Sequence, residues 1–181
     1  VIEPILAVEC PDFVMSDGVA VVVYFGVCNL RCKHCDFRKM MMMKDVKCIN
    51  YNVLFDVMEK YLDFIDNVVV TGGEPLLFPD IVFEIVEFAK SNGKGVWLYT
   101  NLSNDISDLF GLVDRVVVDV KGVSVEDIMR NCSCDELLAE CMLRNYMKYA
   151  CNDKFVFRVP SFISDCWIDF RNIERYEVRR V

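Results

Sequence analysis

Apolar positions along this chain follow two rhythms. Dense β-branched runs occupy residues 19–25, 67–71, 96–100, 115–120 and 155–159. The first, Val19-Ala20-Val21-Val22-Val23-Tyr24-Phe25, is apolar at almost every position, which is how a strand covered on both faces reads. Between the runs the spacing turns helical. Val53, Leu54, Val57, Tyr61, Leu62 and Ile65 share one face, as do Val82, Ile85, Val86 and Ala89. Pro79 opens the second of these helices and Asn92-Gly93 follows its end. Ser133 and Glu136 have the spacing of a capping box. They predict a helix with Leu137, Leu138, Cys141, Met142, Asn145, Tyr146 and Tyr149 on one side.

Strand and helix in alternation predict an α/β fold with parallel strands and right-handed crossovers. About five to six strands are too few for a closed eight-stranded barrel, so a partial, open (β/α) barrel is expected. Its chemistry should gather at the C-terminal ends of the strands. A length of 181 residues suits a single domain, with no linker or internal repeat.

Charge narrows the partners. Lys plus Arg total 20 and Asp plus Glu total 28, a net charge of −8. Such a chain is poorly suited to a phosphate backbone, so nucleic acid is not expected as the main ligand. Lys44 and Lys47 are too few to make a local basic patch. Ten cysteines admit disulfides, metal ligands or inert thiols. With 54% apolar residues the chain can bury a core without disulfide staples. Val1-Ile2-Glu3-Pro4 lacks the basic-then-apolar pattern of a leader. Val1 stands where Met is expected, which points to a trimmed or incomplete start. The run from Ala20 to Val27 falls far short of the roughly 20 residues a membrane helix needs. The expectation is a cytoplasmic, reduced protein with no membrane partner.

The cysteines are not evenly spread. Cys28-Asn29-Leu30-Arg31-Cys32-Lys33-His34-Cys35 follows the first strand directly, with spacing C-x3-C-x2-C. Three thiolates in so short a loop can converge on one inorganic centre, and thiolates are the usual ligands of iron–sulfur clusters. A four-iron cubane held this way keeps one iron open. Zinc normally takes a fourth Cys or His and a C-x2-C spacing, and His34, the only histidine, is poorly placed to serve. Chance clustering of inert thiols is the third reading. Further on, Thr71-Gly72-Gly73-Glu74-Pro75 ends the second strand, where paired glycines allow close approach of a ligand to backbone. Taken alone it is also an ordinary turn.

These motifs, in this order, resemble the radical S-adenosylmethionine (SAM) superfamily from about Ser16 to Pro160. The resemblance implies a [4Fe-4S] cluster on Cys28, Cys32 and Cys35, with SAM chelating the open iron. It places His34 near the adenine, and Gly72, Gly73 and Glu74 at the methionine amino group, the Glu74 carboxylate facing the amine. It sets the polar groups of Thr100 and Asn101 along the SAM site. Asp119-x-Lys121 is similar to a recurring element of glycyl radical activases, and implies contacts to the SAM ribose and carboxylate; a solvated ion pair is the alternative. Arg158-Val159-Pro160 is similar to their Arg-x-Pro, so Arg158 meets SAM or substrate, or serves a structural ion pair. Two positions depart from the family pattern. Val27 precedes Cys28 where Gly is usual, and Leu102 follows Thr100-Asn101 where Gly is usual.

The implied activity is reductive cleavage of SAM to a 5′-deoxyadenosyl radical, which removes a hydrogen atom from a substrate. A low-potential donor of the flavodoxin or ferredoxin type supplies the electron. Small size, Ser16-Asp17-Gly18 before the first strand and Asp119-x-Lys121 favour an activase like that of anaerobic ribonucleotide reductase, with a glycyl radical enzyme as protein substrate. Asp36 after the cluster loop also fits 7-carboxy-7-deazaguanine synthase, although Phe37 stands where that family usually has Thr. Other peptide- or small-molecule-modifying enzymes remain open. In a different class stands a non-catalytic iron–sulfur or zinc module, which leaves the glycines, Glu74 and Asp119 without a shared purpose. Cys132, Cys134, Cys141 and Cys151 match no second-cluster motif and are read as inert thiols; Cys10, Cys48 and Cys166 carry no signal. Met40 to Met43 reads as ordinary packing or as an apolar loop over a site.

Overall fold

The computed structural model describes residues 5–35, 37–38, 49–163 and 166–176. Its elements, in order, are β1 (Ile5–Asp12), β2 (Ala20–Phe25), α1 (Tyr51–Glu59), β3 (Asn67–Gly72), α2 (Pro79–Ser91), β4 (Gly95–Thr100), β5 (Arg115–Asp119), α3 (Val125–Cys132), α4 (Glu136–Tyr149), β6 (Phe155–Pro160) and β7 (Ile173–Tyr176). Among the described residues the strands form one seven-stranded sheet in the order β1-β2-β3-β4-β5-β6-β7. Only β1 is antiparallel to its neighbour. From β2 to β7 every pair is parallel. The sheet stays open and β1 does not meet β7, as expected for a partial barrel.

Alternation along the strands sorts side chains onto two faces. Val21, Val23 and Phe25 of β2, Val68 and Val70 of β3, Val96 and Leu98 of β4, Val116 and Val118 of β5, and Phe155 and Phe157 of β6 join the main core. Leu54 and Met58 of α1, Val82, Ile85 and Val86 of α2, Ile128 of α3, and Met142 and Tyr146 of α4 cover them. The opposite face carries a small cluster of Ala20, Val22 and Val69, with Met15, Tyr24, Trp97 and Tyr99 packed on it.

Three elements were not predicted. β1 and β7 flank the sheet, and α3 packs beside α4. The helix expected over residues 53–65 ends at Glu59, with a 3-10 turn at Leu62–Phe64. Ser133 does not open α4. It ends α3 at φ +52°, and Asp135 is the cap, its Oδ1 accepting from the Leu138 N–H at 2.9 Å. Asp135 is an equally good cap one residue from Glu136, and the left-handed Ser133 closes α3. The buried side of α4 is therefore Ala139, Met142, Asn145, Tyr146 and Tyr149, while Leu137 is exposed. Among the described residues no helix is long and apolar enough to cross a membrane. Asp36, Met40 to Met43, Lys44, Lys47 and Cys48 lie outside the described residues.

Candidate functional site

The site is built from strand ends. β2 delivers its chain into the cysteine loop, which is pinned on three sides. Gly73 and Glu74 donate backbone N–H bonds to Phe25 and Val27 carbonyls at 2.6 and 2.8 Å. Arg31 and Lys33 donate theirs to the Cys132 and Asn131 carbonyls at 2.9 and 2.8 Å. Asn29 donates from Nδ2 to Ser103 Oγ at 2.9 Å. Leu30, within the loop, is buried in the main core.

The two glycines are needed for the first of these contacts. Gly72 has φ +108°, and a Cβ there would stand 2.4 Å from the Phe25 backbone. At Gly73 a Cβ would stand 2.1 Å from the Val27 carbonyl oxygen. Val27, the first departure from the family pattern, thus takes part through its backbone carbonyl. Leu102, the second departure, sits at φ +56°, the conformation that glycine adopts freely. Its side chain is fully buried in the main core, which offsets the backbone strain.

One cavity of about 320 Å³ opens at these strand ends. Cys28, Cys32 and Cys35 all line it. So do His34, Gly72, Gly73, Thr100, Asn101, Asp119, Lys121 and Arg158. Of the residues singled out from sequence, Glu74 alone does not. It is fully buried behind the wall. Its carboxylate accepts from Leu76 N at 3.0 Å, Thr100 Oγ1 at 2.7 Å and Asn101 N at 2.7 Å. Burial pushes the Glu74 carboxyl up to about 7, against the pull of those hydrogen bonds and of Lys121. Glu74 therefore joins the β3 turn to the end of β4 and does not present its carboxylate to the cavity.

The far wall is charged. Asp119 and Arg158 are register partners on β5 and β6. Asp119 lies 3.5 Å from both the Lys121 ammonium and the Arg158 guanidinium. Even so, Asp119 Oδ1 is buried and accepts no hydrogen bond. Arg158 also lies over the Tyr99 ring, 6.0 Å from its centroid. His34 packs on Phe162 at 5.1 Å between ring centroids. Burial pushes the Cys28 thiol up to about 11, and the hydrogen bond shared with Cys132 draws Cys32 down to about 7.

The donor set fits an iron–sulfur cluster: three thiols of one pinned loop facing one cavity. Among the described residues no three Cys, His, Asp or Glu side chains gather as ligands of a single ion. Asp119 Oδ1, buried and ion-paired with Arg158 but accepting no hydrogen bond, suits a cofactor hydroxyl.

Sequence reasoning missed Met15, Tyr24, Leu30, Phe37, Thr71 and Tyr99, which complete the lining. Thr71, Tyr99 and Asp119 sit at alternating positions of neighbouring strand ends, a signal that register would have given. Cys132 was also missed as a neighbour. Its Sγ lies 3.4 Å from that of Cys32. No set of leftover cysteines forms a ligand group among the described residues.

The pattern of the Radical SAM superfamily matches residues 22–148. A relative from Methanocaldococcus jannaschii, named a glycyl-radical enzyme activating enzyme, is 35% identical over 106 residues, covering 56% of this chain and 42% of its own. The 7-carboxy-7-deazaguanine synthase of Methanothermobacter thermautotrophicus is 30% identical over 123 residues, covering 63% and 48%. The chain spans about half the length of the relatives it matches. Among solved structures, Streptococcus suis SuiB bound to its precursor peptide SuiA superposes with a TM-score of 0.62 at 12% identity, covering 87% of this chain and 39% of that one, a likeness of fold. Superfamily members use a [4Fe-4S] cluster and SAM, and this chain belongs to the radical SAM superfamily.

Proposed function

We propose that this chain binds a [4Fe-4S] cluster through Cys28, Cys32 and Cys35 and cleaves SAM reductively. The observation that carries the reading is the shared cavity: three thiols, the glycine turn and the Asp119–Lys121–Arg158 wall face one space. When bound, the cluster and SAM supply the electron transfer and the radical that takes a hydrogen atom from substrate. The chain's own residues do the positioning. Gly72 and Gly73 leave backbone open to the amino acid end of SAM. Asn101 and Thr100 line the same side, held in place by Glu74. Asp119 Oδ1 accepts a ribose hydroxyl, and Lys121 and Arg158 balance negative charge. His34 meets the adenine. Met15, Tyr24, Phe37 and Tyr99 keep water from the reacting centre.

The test is anaerobic reconstitution followed by reduction with SAM present. The expected outcome is about four irons per chain and 5′-deoxyadenosine; Cys32→Ala abolishes both. Unchanged iron content and SAM cleavage in that variant would overturn the reading.

For the substrate we infer a glycine of a glycyl radical enzyme, reducing equivalents coming from a flavodoxin or ferredoxin. Two relatives named as glycyl-radical enzyme activating enzymes and one named a pyruvate formate-lyase-activating enzyme support this. The measurement is a glycyl radical signal by electron paramagnetic resonance on a glycyl radical enzyme of the same genome. The second reading, deazaguanine synthesis, is favoured by the Methanothermobacter thermautotrophicus relative and predicts a deazaguanine product with no protein radical.

A further inference from the structure

Cys132 ends α3 and is completely buried, with no part in the proposed reaction. Its sulfur lies 3.4 Å from Cys32 Sγ. The contact is enforced by backbone and not by a chance rotamer. The two residues on either side of Cys32, Arg31 and Lys33, donate to the carbonyls of Cys132 and Asn131 at 2.9 and 2.8 Å. Asn131 is itself tied to the end of β5, its Nδ2 donating to the Lys121 carbonyl at 2.8 Å. A disulfide needs sulfurs about 2.05 Å apart, so closure asks for a movement of about 1.4 Å from the 3.4 Å observed. Cys32 lines both the main cavity and a small adjoining one that Cys132 shares, so a small oxidant has a path to the pair.

We propose that Cys32 and Cys132 form a reversible disulfide when no cluster occupies the loop. With a peroxide as oxidant, Cys32 sulfur attacks the O–O bond, giving a sulfenic acid and water. Cys132 sulfur then attacks the Cys32 sulfur, the S–S bond forms, and a second water leaves. Two thiols lose two electrons in all and one peroxide becomes two waters. A dithiol reductant reverses the step by exchange. The consequence rests on the proposed function: pairing occupies one of the three candidate ligands, so the oxidised chain cannot accept a cluster until it is reduced. Cys32 shielded in a bound cluster is not available to pair.

The test uses the full chain prepared without iron, treated with hydrogen peroxide, alkylated and digested for peptide mass spectrometry. The expected result is one crosslinked peptide joining Cys32 to Cys132, lost on dithiothreitol. A Cys32 link to Cys28, Cys35 or Cys134 instead, or a Cys132 that still alkylates fully, overturns the proposal. Cys132→Ser gives a second arm. Oxidised with diamide, which couples thiols in pairs and leaves a thiol without a partner reduced, and then given iron and sulfide without reductant, it should take up severalfold more iron than wild type treated the same way, and equal uptake overturns the gating. The peptide map is independent of cluster ligation. If Cys32→Ala still binds iron, the proposed function fails while the crosslink result stands.

Discussion

The two faces of the sheet are made by the same strands and do opposite work. On the outer face, β2, β3, β4, β5 and β6 contribute aliphatic and Phe side chains that are almost wholly excluded from water beneath the helices. On the inner face, the buried aliphatic residues of β2 to β5 shrink to Ala20, Val22, Val69 and Val117, and Trp97, Tyr99, Arg115 and Arg158 sit beside them. Trp97 carries the Arg115 guanidinium 5.4 Å from its ring centroid, and Tyr99 carries Arg158. The lesson is a division of labour by residue parity. Stability resides in one set of alternate positions, and the other set is free to hold polar groups at half-buried distances that a core would not tolerate.

That division can be broken from either side. The largest loss should follow Phe157→Ala. Phe157 is fully buried and stacks on Phe170 at 4.0 Å between centroids, with Phe155 and Tyr146 also in ring contact. Truncation should cost about 3–5 kcal/mol, read by chemical denaturation, with SAM affinity per folded molecule unchanged. A comparable loss of SAM binding would show the faces to be coupled.

Next comes the pH dependence of Glu74. Its carboxyl is raised by burial from 4.5 to about 7 in the folded chain. The protonated form therefore favours folding. Its contribution is full below pH 4.5, falls as pH rises to 7, and is gone above. The swing amounts to roughly 3 kcal/mol. Denaturation midpoints of wild type and Glu74→Gln should diverge across that window, wild type losing stability more steeply as pH rises. Parallel curves would show that the carboxyl titrates normally.

Leu102→Gly should cost less, about 2 kcal/mol net. Lost burial of the side chain outweighs the relief of a left-handed Leu backbone. Leu102→Ala, which keeps the strain and loses the burial, should be the less stable of the two. The smallest effect on folding belongs to Asp119→Asn on the inner face. Its ion pairs at 3.5 Å are part-exposed, so stability should change by less than about 1 kcal/mol. SAM affinity by calorimetry should nonetheless fall at least tenfold.

The outer face was the legible one. Val21, Val23, Val68, Val70, Val116 and Val118 sit in unbroken β-branched runs, and such runs announce buried parallel strands. β1 carries Glu9, Cys10, Pro11 and Asp12 and is half-exposed, so its pattern is mixed. β7 has only the four residues Ile173–Tyr176, too short for any period to register. The cavity residues that came from motifs were found because a loop of eight residues is local. The family resemblance sets the Glu74 carboxylate toward the SAM amine, whereas the fold buries it behind the cavity wall. Its real partners, Thr100 and Asn101, lie a strand away and no spacing rule points to them. Cys132 is one hundred positions from Cys32, and nothing short of the fold brings them together.

Strand order in this sheet equals chain order, each strand settling beside the one before it. The cavity nevertheless draws on residues from Met15 to Arg158. Assembly that proceeds outward from β2 thus leaves the thiol loop without its Ser103 and α3 contacts until those segments are in place, and the charged wall without Arg158 until β6 arrives. Competence is a property of the finished sheet, and an unfinished chain exposes its sulfurs before it owns the means to use them.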